Sequence, residues 1–226
     1  MQVDAIHLHH VRLSTGIESV LVEMHAGEAV GWGEASPGTA PTETGEWAGG
    51  AFACLRDWLA PAIVGQLVGR GAVLHELLAQ FRGNHAAKGA LDAAWWDLHA
   101  RLAGQTLAQA LGATRESIPL GARFSAPETQ VFTADFHATV DRLMAQVEAA
   151  RSFGFVQIVL QLRPGWDMEV VRAVRYFFQD LRMAVDADEC FELDQQMHFA
   201  RLDDFSLDFF EQPLAAADLV GHAMVA

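Results

Sequence analysis

Hydrophobic positions along the first part of the chain alternate with polar ones. Val3, Ile6, Leu8, Val11 and Leu13 make one strand-like run, and Val20, Leu21, Val22 and Met24 make a second. The turn signal Ser14-Thr15-Gly16 separates them. A third run, Ala29 to Glu34, follows a turn at Ala26-Gly27-Glu28. These runs predict a small antiparallel meander. A loop rich in Pro and Gly, Ser36 to Pro41, leads out of it. From Glu43 to about Ala103 the period becomes helical. The clearest stretch is Lys88 to Ala103, where Leu91, Trp95, Leu98 and Leu102 share one face and Gly104 supplies a stop. Residues 1–115 therefore predict an α+β domain.

The rhythm then changes. Ser117 to Phe124 reads as a short strand. Ala134 to Ala150 is helical, with Phe136, Val140, Leu143 and Val147 on one stripe and Gly154 after it. Phe155 to Leu162 is nearly all apolar, which predicts a strand covered on both faces. Asp167 to Gln179 is helical, Arg182 to Asp186 a strand, Phe191 to Leu202 a helix, Ser206 to Phe210 a strand, and a last helix begins at Ala216. Strand and helix alternate four times, the pattern of parallel βα units. Residues 116–226 thus predict the first half of a barrel whose full form takes about 250 residues. The expected fold class is an α+β domain followed by a partial α/β barrel of about four βα units.

Composition narrows the function. The 226 residues carry 29 acidic and 15 basic side chains, a formal net charge of -14. Nucleic acid, which needs clustered cations to neutralise phosphates, is a poor partner for such a chain. No stretch reaches the ~18 uninterrupted apolar residues of a membrane span, and the N-terminus has no basic and apolar leader pattern. Cys54 and Cys190 form no CxxC pair, which suits a reducing compartment and gives neither a disulfide framework nor a zinc motif. The expectation is a soluble cytoplasmic protein. Lys88 is the only lysine, and the other 14 basic residues are Arg. Any mechanism that needs a second lysine is excluded for this chain by itself.

Candidate chemistry lies at the C-terminal ends of the second-part strands, where parallel barrels collect their functional residues. These ends read Gln161-Leu162-Arg163-Pro164-Gly165, Asp186-Ala187-Asp188-Glu189 and Glu211-Gln212-Pro213. Carboxylates at adjacent strand ends converge, and hard cations such as Mg2+ take oxygen ligands of this kind. Asp188 and Glu189 read more simply as loop residues or helix caps. In the first part, His7 and His9 alternate onto one strand face beside His10, but no carboxylate or cysteine clearly joins them in sequence, which weighs against a metal there. No G-x-G-x-x-G follows a strand, so a dinucleotide site has no support.

Several segments together resemble the enolase superfamily. They are Gly31-Trp32-Gly33-Glu34-Ala35, Arg82 to Lys88, Ala94-Trp95-Trp96-Asp97-Leu98, Pro164-Gly165-Trp166-Asp167, Val185-Asp186-Ala187-Asp188 and Glu211-Gln212-Pro213-Leu214. The muconate-lactonising branch fits best, nearest to o-succinylbenzoate synthases and N-acylamino-acid racemases. The resemblance implies a capping domain over residues 1–115 and a βα barrel from residue 116. It also implies removal of a proton beside a carboxylate, with Mg2+ stabilising the enediolate and lysines moving the proton.

Carried onto this chain, the resemblance makes Asp186 the first metal ligand and Glu211 the second. A third ligand and an opposing lysine belong to strands beyond Ala226. The family's Lys-x-Lys pair falls on Val159 and Gln161. Valine cannot carry a proton and an amide is no base. Arg163 keeps a positive charge nearby, but guanidinium is a poor base. Arg123 stands where the family has a small residue that touches substrate. The loop that covers substrate in the family is cut here to Ser14-Thr15-Gly16.

The expectation is a divergent relative without the usual Mg2+-assisted lysine chemistry. It would bind Mg2+ weakly and retain room for a small carboxylate ligand. An open edge of the barrel sheet would lead to a homo-oligomer. Two alternatives stand beside this reading: an active isomerase or lyase completed by another chain, and a truncated product of a longer enzyme.

Overall fold

The structure, a computed structural model, describes residues 1–42, 44–126 and 135–225. The chain divides into two units, Met1–Arg115 and Glu116–Ala226, each with its own hydrophobic core.

In the first unit, β1 (Ala5–Arg12), β2 (Glu18–Ala26) and β3 (Ala29–Ala35) form an antiparallel sheet in that order. Period-two alternation sends Val20, Val22 and Met24 into the core and leaves Glu23 and His25 on the other face. The β1–β2 connection is a tight turn closed by Leu13 and Ile17, with Gly16 at φ 87. Then come α1 (Ala48–Cys54), a π-helical turn over Leu55–Leu59, α2 (Ala60–Ile63), α3 (Gly71–Leu78), α4 (His85–Leu102) and the short α5 (Leu107–Ala110). The helical stretch is thus broken into pieces and starts at Ala48. The residue at which the sequence placed its start, Glu43, lies outside the described residues.

Helix α4 lies against the sheet. Leu91, Trp95 and Leu98 are buried, as their spacing requires, but Leu102 is 50% exposed at the last residue of the helix. A β-carbon at Gly31 or Gly33 would overlap backbone atoms of α4, the Ala94 and Ala90 carbonyl oxygens. The two glycines of the Gly31-Trp32-Gly33 segment therefore set how closely β3 and α4 approach. At the start of α4, Glu46 accepts the His85 and Ala86 amides at 2.5 and 2.9 Å, satisfying two N–H groups that have no partner within the helix. Lys88 donates to the Phe81 carbonyl at 2.5 Å, so the single lysine has a local structural partner.

In the second unit, β4 (Gly121–Phe124), α6 (Asp135–Ser152), β5 (Gln157–Gln161), α7 (Met168–Phe177), β6 (Arg182–Asp186), α8 (Gln196–Leu202), β7 (Phe210–Glu211) and α9 (Leu219–Val225) alternate. The strands pair in parallel in the order β4-β5-β6-β7. The residue named as the start of the first helix here, Ala134, lies outside the described residues. Ile158, Leu160, Met183 and Val185 share a core with Val140, Leu143 and Val147 of α6 and Val170, Val171 and Val174 of α7.

Three expectations need correction. β5 is not buried on both faces: Ile158 and Leu160 are buried, whereas Gln157, Val159 and Gln161 are only half-buried. The helices α6 and α7 pack on the face that carries Ile158 and Leu160. The fourth strand begins later than Ser206, because Ser206 adopts φ 51, a left-handed turn that β geometry does not accept. Pairing to β6 nonetheless begins at Asp208, whose amide donates to the Met183 carbonyl at 2.8 Å. The helix before it is shorter too, with a 3-10 turn over Leu193–Gln195 preceding α8. Among the described residues no helix is long and apolar enough to cross a membrane, and Cys54 and Cys190 are free thiols.

Candidate active site at the strand ends

Register decides which side chains meet. Arg123, Val159 and Ala184 stand level on β4, β5 and β6, and Gln161, Asp186 and Glu211 stand level on β5, β6 and β7. Level residues of a parallel sheet point to the same side, and residues two apart along a strand do so as well. All six therefore face away from the helical layer, at or near the carboxyl ends of the strands. This is the end where the sequence placed the chemistry.

Asp186 is the buried member, with 2% of its side chain exposed. Its two oxygens have different partners. Oδ1 accepts the Asp188 amide at 2.9 Å. Oδ2 is paired with the Arg123 guanidinium, which reaches across β5 from β4 and is itself half-exposed. Val159 stands level with Arg123 on the strand between them, with a short aliphatic side chain.

Gln161 bridges two loops. Its Oε1 accepts the Ala126 amide at 3.1 Å, and its Nε2 donates to Asp188 at 3.4 Å. Asp188 is thus more than the loop residue the sequence suggested: its amide holds Asp186 and its side chain meets Gln161. Asp188, Glu189 and Gln212 all have left-handed φ, at 49, 63 and 43. The Glu189 amide donates to the Gln212 carbonyl at 2.9 Å, so these strained turns are laced together at the strand ends. The two-residue spacing from Asp186 to Asp188 was visible in the sequence. The left-handed backbone that turns the Asp188 amide onto Asp186 was not.

Glu211 is exposed, and among the described residues its carboxylate has no hydrogen-bonding or ionic partner. Arg163 is exposed on the turn Arg163-Pro164-Gly165-Trp166, which closes through reciprocal backbone bonds between its first and last residues. Its guanidinium has no carboxylate partner among the described residues. Cys190 lies close by, with Sγ 3.6 Å from the Leu162 carbonyl. Burial, with the Asp188 carboxylate adding to it, pushes this thiol up to about 11 against a backbone hydrogen bond that lowers it. At neutral pH it is a protonated thiol and no nucleophile.

The resemblance assigns Asp186 and Glu211 to Mg2+. Such an ion needs near-octahedral oxygen ligands at about 2.0–2.1 Å. Oδ1 of Asp186 accepts an amide, and a second cation on Oδ2 would meet the Arg123 guanidinium there as a like charge. With Arg123 on Oδ2, Asp186 does not fit the ion, whereas the Glu211 carboxylate has no partner among the described residues.

Known proteins agree with the architecture. Residues 6–112 match the mandelate racemase / muconate lactonizing enzyme N-terminal domain, and residues 139–226 match the enolase C-terminal domain-like family. The chain is 33% identical over 192 residues to an o-succinylbenzoate synthase of Bacillus subtilis, covering 85% of this chain and 49% of that protein. It is 37% identical over 202 residues to an N-succinylamino acid racemase of an Amycolatopsis species, covering 89% and 52%. A crystal structure of an enolase superfamily member from Enterococcus faecalis V583 superposes with a TM-score of 0.86 at 26% identity, over 100% of this chain and 62% of that one. The chain spans about half the length of the curated relatives it matches. With both family domains in their order, the chain belongs to the enolase superfamily, in its mandelate racemase / muconate lactonizing branch.

Proposed function

We propose that this chain is a carboxylate-binding relative of the o-succinylbenzoate synthases and N-succinylamino acid racemases that does not carry out lysine-mediated proton transfer. The observation that carries the reading is the Arg123–Asp186 pair. A fixed guanidinium neutralises the one deeply buried carboxylate of the strand ends, which is the task a bound cation would otherwise perform. The neighbouring positions point the same way. Val159 and Gln161 offer no group that gains or loses a proton at neutral pH, and Gln161 spends its amide on a structural bridge.

What remains is a surface for anions. Arg123 keeps half of its side chain exposed, and Arg163 stands exposed at the end of β5. Two guanidinium groups at the ends of adjacent strands suit a small carboxylate, to which each presents a planar donor fork. Gln161 and Asp188 restrict the loops around them. Strands β4 and β7 are the sheet's two edges within this unit, and exposed edges favour pairing with a further copy of the chain.

A second reading is kept because the relatives at 33–37% identity are named as enzymes and because Glu211 has no partner among the described residues. In it, another chain supplies the proton-transfer groups, and the assembly is an isomerase or lyase.

One experiment separates the two readings. The purified chain is incubated in D2O with an N-succinylamino acid and Mg2+, and deuterium at the α-carbon is followed by proton NMR. The first reading expects no exchange above buffer, while titration calorimetry of the same ligand shows binding that Arg163→Ala weakens about tenfold. Exchange that requires the protein overturns the first reading and supports the second.

A further inference from the structure

The sheet of the first unit holds a cluster that the strand-end site does not use. His7 of β1 pairs in register with Glu23 of β2, and Ala5 pairs with His25. Residues two apart on a strand share a face, so His7, His9, Glu23 and His25 all lie opposite the buried Val20, Val22 and Met24. The sequence displayed only His7 and His9. Their carboxylate and third imidazole come from the neighbouring strand, which no spacing along β1 could reveal.

The atoms are close. His25 Nε2 is 2.9 Å from one Glu23 carboxylate oxygen, and His7 Nδ1 is 4.0 Å from the other. The His7 and His25 rings lie 4.8 Å apart, tilted by 49°. One ligand atom each from His7, Glu23 and His25 fits within 4.8 Å of the others. Ligand atoms at about 2.0–2.1 Å from a tetrahedral zinc stand about 3.3 Å apart, so small side-chain rotations would bring these three onto one ion. His9 adds an outer contact. Its Nε2 is 2.9 Å from the Glu23 oxygen that faces His7, and its ring stacks on Trp32 at 5.8 Å. It is thus placed to hold the carboxylate while the other three residues bind, a role common among groups behind metal ligands.

We propose that His7, Glu23 and His25 form a binding site for a late first-row divalent cation, zinc foremost, with water completing the shell. The donor set is two imidazoles and one carboxylate. Such a set suits zinc, nickel or copper better than magnesium or calcium, which take oxygen. His25 now uses Nε2 to donate to Glu23, so binding requires the neutral ring to carry its hydrogen on the other nitrogen. An ion here would tie β1 to β2 through side chains. This would be a structural staple in the first unit, separate from the residues at the strand ends of the second.

The test uses the full chain without a histidine tag. Zn2+ is titrated by calorimetry, and Co2+ is added as a visible-light probe of coordination. The expected result is one equivalent bound at micromolar affinity or tighter, with cobalt absorption bands of a four- or five-coordinate ion. Glu23→Gln and His25→Gln should each weaken binding about tenfold or more. His75→Gln, an exposed histidine on α3 paired with Asp92, and Asp186→Asn should leave it unchanged. Circular dichroism of each variant checks that it folds, and His7→Gln replaces either ligand variant that does not. Absence of saturable binding at submillimolar Zn2+ overturns the proposal. So does binding that survives the Glu23 and His25 substitutions, or that Asp186→Asn removes.

Discussion

The Arg123 guanidinium of β4 reaches over β5 to the nearly solvent-free carboxylate of Asp186 on β6. The charge is therefore internal to the sheet and comes with the fold.

Taking that charge away should create a demand for another. Arg123→Ser leaves Asp186 buried without its cation. The loss should cost about 1–3 kcal/mol, below the range for a fully buried pair because Arg123 is half-exposed. Millimolar Mg2+ should then restore part of the stability, since a ligand that binds only the folded state raises its melting temperature. In the parent chain the same Mg2+ should shift the melting temperature little. Differential scanning fluorimetry with and without Mg2+ measures both. An equal Mg2+ shift in the two proteins would show that Arg123 does not exclude the ion.

Val159 and Arg123 should also be energetically coupled. An ammonium at position 159 would lie level with Arg123 and compete with it for Asp186. Val159→Lys alone should be destabilising. Combined with Arg123→Ser it should be better tolerated, with a coupling of about 1 kcal/mol or more. A double-mutant cycle in urea measures it. Additive effects would mean that the arginine does not pass over residue 159 in solution.

Cys190 gives a prediction in pH. A thiol pushed up to about 11 from an ordinary 9.0 carries roughly a hundredfold less thiolate at pH 8. Alkylation by iodoacetamide should be correspondingly slow and should accelerate up to about pH 11. The linkage has a definite sign. The folded state keeps a proton that the unfolded state loses near its ordinary value. This contribution to stability is full below pH 9 and is lost as pH rises from 9 to about 11. Mass spectrometry of timed alkylation checks the rate, and urea melts across that window check the stability.

Much of the fold was legible in the chain. Val20, Val22 and Met24 alternate because one face of β2 is buried, and Leu91, Trp95 and Leu98 recur because α4 lies on that sheet. The strand-end carboxylates Asp186 and Glu211 were legible from their segments, and parallel register brings them level. The contacts that decide the chemistry were not. Arg123 could be named as a charged intruder, but its reach to Asp186 depends on strand order, on a side-chain rotamer and on the small size of Val159. Asp188 was read as a loop residue because, although Asp tolerates a left-handed φ better than most residues, its type alone does not say that this position turns that way. Ser206 misled for the same reason, since serine is unremarkable in a strand until its backbone turns the wrong way.

The placement of the only lysine has a practical consequence. An endoproteinase that cuts after lysine has a single target in this chain, Lys88, within the first turn of α4 and tied to the Phe81 carbonyl. In the native state that bond lies inside hydrogen-bonded helix, where a protease cannot fit its extended substrate. The chain thus contains its own single-site reporter. The rate of that one cut measures how often the segment around the start of α4 opens.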